Sequence, residues 1–270
     1  MSTPPGHRSL HSGNGTAVLE ADAVSVRYGQ VEALHEVSVA IRPAAVTCLL
    51  GDNGAGKSTL IKVLSGVIPP SAGRLLLDGA PARFRSPRDA RAAGIATLFQ
   101  DLALAPLMSV WRNFVLGAEP VRGRGPLRRI DVELARRSAR DGLAEMGIEI
   151  ADVDHAVGRL SGGQRQAVAI ARAVHHGARV LILDEPTAAL GVRQAGNVLD
   201  AVRHARERGL AVILVTHNPA HAWPVGDHYV VLRHARLAGA WPRESITMDR
   251  LATLMAGEPG PGVGAPPTVP

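Results

Sequence analysis

The sequence predicts an α/β protein: a sheet of buried strands with helices on both faces and an all-helical insertion near the middle of the chain. Three observations carry that expectation. Short apolar runs alternate with helical patterns over most of the 270 residues, the order that builds βα units. A glycine-rich loop, GDNGAGKST, joins one of those runs to a helix start. Between about 101 and 158 the strand-like runs stop, and amphipathic segments such as DVELARRSARDGLAEMG take over around a basic loop, RGRGPLRR.

In chain order, extended runs are expected at 17–27 and 36–41. A third, VTCLL at 46–50, is a short apolar run, as expected of a strand buried on both faces. The glycine loop follows it, then a helical pattern to about residue 65. Further apolar runs at 95–98, 180–183, 211–216 and 229–232 supply strands, with helices at 161–174 and 191–208 between them. No internal repeat is present, and each chemical motif occurs once.

Composition narrows the classes. With 46% hydrophobic but only 3% aromatic residues, the core has to be built from Ala, Val, Leu and Ile. A net charge of +6 suits nucleic acid, an anionic membrane surface or a phosphate-bearing ligand, and does not choose among them. The one cysteine, Cys48, lies in an apolar run, so a buried inert thiol is expected and an internal disulfide is excluded. No apolar run reaches the roughly 18 residues of a spanning helix, and the polar N-terminus lacks a signal-peptide core. A soluble cytoplasmic protein is the expectation. The Ser/Gly/His-rich residues 1–16 and the Pro/Gly-rich residues 257–270 read as disordered tails.

The glycine loop is the strongest local signal. Gly51, Asp52, Asn53, Gly54, Ala55, Gly56, Lys57 and Ser58 fit G-x-x-x-x-G-K-[ST] completely, with Thr59 next, after a buried strand and at a helix start. Glycines let backbone N–H groups close around phosphate oxygens, and the helix N-terminus adds a fixed partial positive charge. Lys57 is placed to bridge β- and γ-phosphates, and the Ser58 hydroxyl to take one position on Mg²⁺. A glycine-rich turn that binds nothing is the competing reading.

LILDEP, downstream, ends an apolar run with two carboxylates. Asp184 stands where a P-loop protein completes its Mg²⁺ sphere. Neighbours on a strand point to opposite faces, so for Glu185 to reach the same ligand the chain must turn there, and Pro186 ends the strand. Glu185 then becomes a candidate general base for an attacking water. In RLSGGQ, Ser161 is a helix cap, and Gly162 and Gly163 each cost about 1 kcal/mol relative to Ala in a helix. A cap alone does not need both glycines, which leaves the N–H groups of Gly162, Gly163 and Gln164 as candidate anion donors.

LSGGQ some twenty residues before a carboxylate-tipped strand, with a P-loop upstream, resembles the nucleotide-binding subunit of an ABC transporter over nearly the whole of 17–256. The resemblance implies a mixed sheet with an N-terminal antiparallel β part and a helical subdomain at about 101–158. It implies Tyr28 as the aromatic that stacks on adenine, Gln100 as a sensor of Mg²⁺ and of the membrane partner, and His217 as a switch histidine on the γ-phosphate. It also implies ATP and Mg²⁺ as ligands, with Lys57, Gln100, Glu185 and His217 in the catalytic set, Ser58, Gln100 and Asp184 at the metal, and Ser161 to Gln164 closing on the ATP of a second copy. Partners would be that second copy and integral-membrane permease subunits, with a sugar-binding protein indirectly and no nucleic acid. The chain would sit peripherally on the inner face of the membrane.

FQDLALAPLMSVWRNFVLG and PTAALGVRQ are similar to single-domain simple-sugar importers of the ribose, fructose and galactose type. A transporter of another solute and a soluble non-transport ATPase of the same family are the alternatives. After PTAAL most members place an aspartate that communicates across the dimer, and this sequence has Gly191. His217 and His221 stand four apart, but Asn218 and Pro219 between them do not make a zinc-protease helix. The arginines of 122–129, without interleaved aromatics, read as a solvated loop.

Overall fold

The computed structural model describes residues 17–256 except 124, 126 and 127; both expected tails lie outside the described residues. The chain begins with a long hairpin, β1 (Leu19–Tyr28) and β2 (Val31–Ile41), then β3 (Val46–Leu50) and α1 (Lys57–Leu64). A second hairpin, β4 (Ala72–Leu77) and β5 (Ala80–Ala82), is followed by α2 (Pro87–Ala92) and β6 (Ile95–Leu98). The insertion contains α3 (Val110–Val115), a two-residue ladder of β7 (Val121–Arg122) with β8 (Arg129–Ile130), and α4 (Val132–Ala144). Then come α5 (Gly162–His175), β9 (Val180–Asp184), α6 (Val192–Glu207), β10 (Ala211–Thr216), α7 (Pro219–Ala222), β11 (His228–Arg233), β12 (Arg236–Pro242) and α8 (Met248–Ala256).

Two sheets result. The larger runs β12-β11-β3-β10-β9-β6, parallel except for the antiparallel edge strand β12. The smaller, β2-β1-β4-β5, is antiparallel. Covered on both faces, β3, β9 and β10 divide their side chains between two cores with a period of two. Leu181 and Leu183 of β9 join Phe114, Ala167 and Val202 on the side of the insertion. Val180 and Ile182 join Leu34, Leu60 and Ile61 on the side of α1 and the antiparallel sheet. Cys48 is buried at full depth, and burial raises its thiol pKa well above the ordinary range.

The stretch between 101 and 158 is braced within itself, and the ring of His175 in α5 packs on Phe114 with centroids 4.9 Å apart. Phe114 of α3 packs so closely on Gly142 of α4 that a Cβ there would stand 2.6 Å from its ring. Buried Asn113 donates to the carbonyls of Ala105, Met108 and Ser109 and accepts from the N–H of Ala105, which ties down the connection after β6.

Three expectations need correction. The second strand starts at Val31 rather than 36. The hairpin β4–β5 and the edge strand β12 were not expected, because in AGRLLL, APA and RLAGAWP no apolar run reaches the roughly four residues that read as a strand. The stretch between 101 and 158 is not free of strand: β7 and β8 pair antiparallel, Val121 with Ile130 and Arg122 with Arg129. Among the described residues no helix is long and apolar enough to cross a membrane.

Candidate active site

The carboxyl ends of β3, β9, β10 and β6 lie along one edge of the parallel sheet, where ligands of open α/β sheets bind. At the end of β3 the chain turns through Gly51, Gly54 and Gly56, with φ of 146°, 81° and 106°. Gly56 is the N-cap of α1, and no side chain caps that helix. A Cβ on Gly56 would stand 2.8 Å from Leu34 Cδ2 and 2.9 Å from the Ala33 carbonyl oxygen, so the loop tolerates only glycine there. The first N–H groups of α1 are thus uncapped and open to an anion.

Lys57 follows at once and is buried. Its Nζ donates to the carbonyl oxygens of Gly51 at 2.6 Å and Asp52 at 3.0 Å. Burial holds its pKa below the usual lysine range, opposed by the charges of Glu185, Asp184 and Asp52. Those carboxylates face it across a cavity of about 580 Å³ bounded by Asp52 to Gly54, Gly56 to Thr59, Gln100, Asp184 and Glu185.

Asp184 is the last residue of β9, and its carboxylate has no hydrogen bond among the described residues. Burial raises its pKa, and the neighbouring charge of Glu185 adds to the effect, while Lys57 and Lys62 lower it. Glu185 adopts φ 50°, a left-handed conformation that costs a non-glycine residue about 1–2 kcal/mol. That turn is the one the two adjacent acids demanded. Its N–H donates to Val215 O at 3.0 Å, and its Oε1 accepts from the backbone N–H of His217 at 3.0 Å and from His217 Nδ1 at 2.8 Å. The end of β9 and the end of β10 are therefore cross-linked through the candidate base and the candidate switch histidine.

The remaining predicted residues are not all brought to this cavity. Gln100, two residues past β6, lines it. Tyr28, half exposed, lies opposite Val31 in the first hairpin, at the end of the wall and not on the cavity itself. Ser161 to Gln164 lie elsewhere, at the start of α5. There Ser161 Oγ accepts from Gln164 N at 3.2 Å while Gln164 Oε1 accepts from Ser161 N at 3.0 Å, a reciprocal capping box. The two glycines also have a packing reason that the sequence did not show. A Cβ on Gly163 would stand 2.6 Å from the carbonyl oxygen of Gln194, and one on Gly162 2.7 Å from Leu190 Cδ2. They let α5 meet α6 and its leading loop at close range.

Sequence reasoning missed the opposite wall, formed by Val31, Glu32 and Ala33 of β2 with His234 and Ala235 of the β11–β12 turn. Glu32 is held by Arg27 at 3.2 Å and His35 at 2.8 Å, and the His35 contact leads in lowering its pKa. The turn is joined to β2 by a hydrogen bond from His35 N to Ala235 O at 2.8 Å. Nothing in either segment alone carries a motif.

An uncapped glycine loop with a buried lysine, facing two carboxylates at the ends of parallel strands, defines a P-loop nucleoside triphosphatase. Residues 34–188 match the model of the ABC transporter family, and the chain belongs to that family, whose activity is ATP hydrolysis. It is 41% identical to the fructose import ATP-binding protein of Rhizobium meliloti over 90% of this chain and 95% of that one. It is 40% identical to the xylose/arabinose import ATP-binding protein of Sulfolobus acidocaldarius, over 88% and 93%. A ribose import ATP-binding protein of Burkholderia pseudomallei is 39% identical over 89% of this chain but only 46% of that longer one. Among solved structures, a nucleotide-free ATP-binding cassette from an ABC transporter superposes with a TM-score of 0.75 at 25% identity, over 87% of this chain and 95% of that one. The expected fold class and family are borne out.

Proposed function

We propose that this chain is the ATP-hydrolysing subunit of an importer: it dimerises around ATP and powers a membrane permease that takes up a simple sugar. The observation that carries the proposal is the convergence of Lys57, Gln100, Asp184 and Glu185 on one cavity, with His217 bonded to Glu185. The LSGGQ segment, by contrast, stands outside that cavity in its own subunit. One P-loop and one LSGGQ per chain make a complete site only when two copies meet. The sugar cargo is supported by the names of the fructose, xylose/arabinose and ribose import relatives.

Each residue has a task its surroundings permit. The uncapped turn at Gly51 to Thr59 takes the phosphates, and Lys57 exchanges its two loop carbonyls for phosphate oxygens. Tyr28, at the end of the wall, stacks on adenine. His217 holds Oε1 of Glu185 until ATP binds and then turns to the γ-phosphate, which leaves the Glu185 carboxylate to receive the proton of the attacking water. Ser161 to Gln164 of the second copy present their helix N-terminus to the γ-phosphate.

The donors fit Mg²⁺. Asp184 offers a half-buried carboxylate without a hydrogen-bonding partner, Ser58 a hydroxyl on the facing loop and Gln100 an amide oxygen. Among the described residues no three His, Cys, Asp or Glu side chains converge as a metal site, so the ion would complete its sphere with phosphate oxygens and water. When bound it supplies charge neutralisation at the β- and γ-phosphates.

We place the subunit on the inner face of the membrane through its permease, about 101–158 acting as the helical subdomain that transmits opening and closing, with a sugar-binding protein upstream. Glu185→Gln tests the core of the reading. ATP binding and ATP-dependent dimerisation should persist while hydrolysis falls about 10²- to 10⁴-fold; near-normal turnover overturns the assignment. Capture of the permease, followed by uptake assays, tests the cargo. A permease that moves amino acids or peptides ends the sugar reading.

A further inference from the structure

His221 has no part in the mechanism above, yet it is the second of two histidines that grip the loop leaving β9. Asn218 caps α7, its side-chain oxygen accepting from Ala220 N at 2.9 Å, and Pro219 occupies the first turn. Asn218 N in turn donates to Thr216 Oγ1 at 3.1 Å, so 216–222 is a locally braced segment. From it His217 reaches Glu185, and His221, one helical turn on, reaches Thr187, with Nδ1 and Oγ1 2.9 Å apart. Thr187 is only 2% exposed, so its hydroxyl is committed to that bond. The spacing that first suggests a metal pair serves as a two-point clamp on Glu185-Pro186-Thr187.

The two grips differ in what can happen to them. The His217 bond ends on the carboxylate that has to meet water and phosphate, so binding and turnover compete with it. The His221 bond ends on a buried hydroxyl two residues further on and touches no group that faces the cavity. Glu185, meanwhile, is held in the left-handed region at φ 50°, a conformation that persists only where its surroundings enforce it. We propose that His221, acting through Thr187, is a positioning residue for hydrolysis: it holds the turn at Glu185 when the His217 bond is exchanged. This rests on Glu185 being the general base.

The test compares purified full-length Thr187→Val, Thr187→Ser, His221→Ala and the double variant Thr187→Val/His221→Ala, alongside Glu185→Gln. Valine keeps the shape and removes the hydroxyl, whereas serine keeps the hydroxyl. Loss of the one hydrogen bond that holds the turn carrying the base should lower kcat by about 5- to 10-fold. KM and ATP affinity should stay within about twofold, and Thr187→Ser should keep kcat within about twofold of the parent. The double variant should lose no more than either single one, because both remove the same bond.

Unchanged kcat in Thr187→Val and His221→Ala overturns the proposal. So does a fall in kcat matched by an equal loss of ATP affinity, which would mark a purely structural bond, and so does full additivity. Glu185→Gln separates the two readings. If it loses turnover while Thr187→Val does not, only the clamp fails; if it retains turnover, the assignment of Glu185 fails first.

Discussion

The two glycine-rich helix starts of this chain, at α1 and at α5, share a composition and differ in physics. At α1 the glycines take positive φ, no side chain caps the helix, and the bare N–H groups open on a cavity. At α5 the glycines are helical, Ser161 and Gln164 form a capping box, and the absent side chains make room for Leu190 and the Gln194 backbone. One start uses glycine for conformation and the other for close approach. The bare N–H groups at α1 thus open on a cavity of the same chain, while α5 is capped and packed against α6; in the proposed function it closes on the ATP of a second copy.

That contrast can be broken by substitution, the largest effect first. Lys57→Ala should weaken ATP binding by about 10²-fold or more, since a charge-assisted contact in a buried setting is lost; calorimetric titration showing unchanged affinity would remove the cradle from α1. Gly163→Ala should leave the ATP affinity of the isolated chain intact but destabilise it by about 1–3 kcal/mol, because the new methyl meets backbone. Thermal melts read this at about 2–4 °C per kcal/mol for a domain of this size. Gly162→Ala crowds the end of Leu190 at 2.7 Å and touches Gln194 Oε1 at 3.6 Å, both ends of flexible side chains, and its loss should be smaller in the same melts.

Ser161→Ala should cost about 1 kcal/mol, the usual worth of a cap, with no change in the nucleotide affinity of the monomer. A melt indistinguishable from the parent would mean the capping box contributes nothing. The smallest effect sharpens the contrast from a third helix start. Gly191 is the N-cap of α6 at φ −67° and ψ 160°, without a side-chain cap, and a Cβ there meets nothing within 4 Å. Gly191→Asp should therefore fit and raise stability by only a few tenths of a kcal/mol. An aspartate there is thus not excluded by this chain's own packing, and a destabilising substitution would contradict that.

Much of the central sheet was legible. The limits expected for VTCLL and for 211–216 match β3 and β10, because a strand buried on both faces reads as a nearly continuous apolar run, broken here only by the buried Thr47 and Thr216. The turn at Glu185 was legible too, from the stereochemistry of two adjacent acids with one target. The hairpin β4–β5 and the edge strand β12 were not: their Arg, Gly, Ala and Pro residues give neither a long apolar run nor a clean alternation. The far wall of the cavity was invisible for a different reason. Val31 to Ala33 and His234 to Ala235 lie some two hundred positions apart and meet only because β2 and the β11–β12 turn are joined through His35 and Ala235.

By itself, then, the sequence determined the parallel core and the identity of the chemical groups, since burial, glycine spacing and a helix start are local constraints written in consecutive residues. The tertiary structure alone decided which of those groups share a cavity, that the glycines of LSGGQ face a neighbouring helix, and that two histidines four apart hold a loop instead of a metal. Those outcomes are contacts between segments remote in sequence, fixed by strand order and helix packing, and no local pattern encodes them.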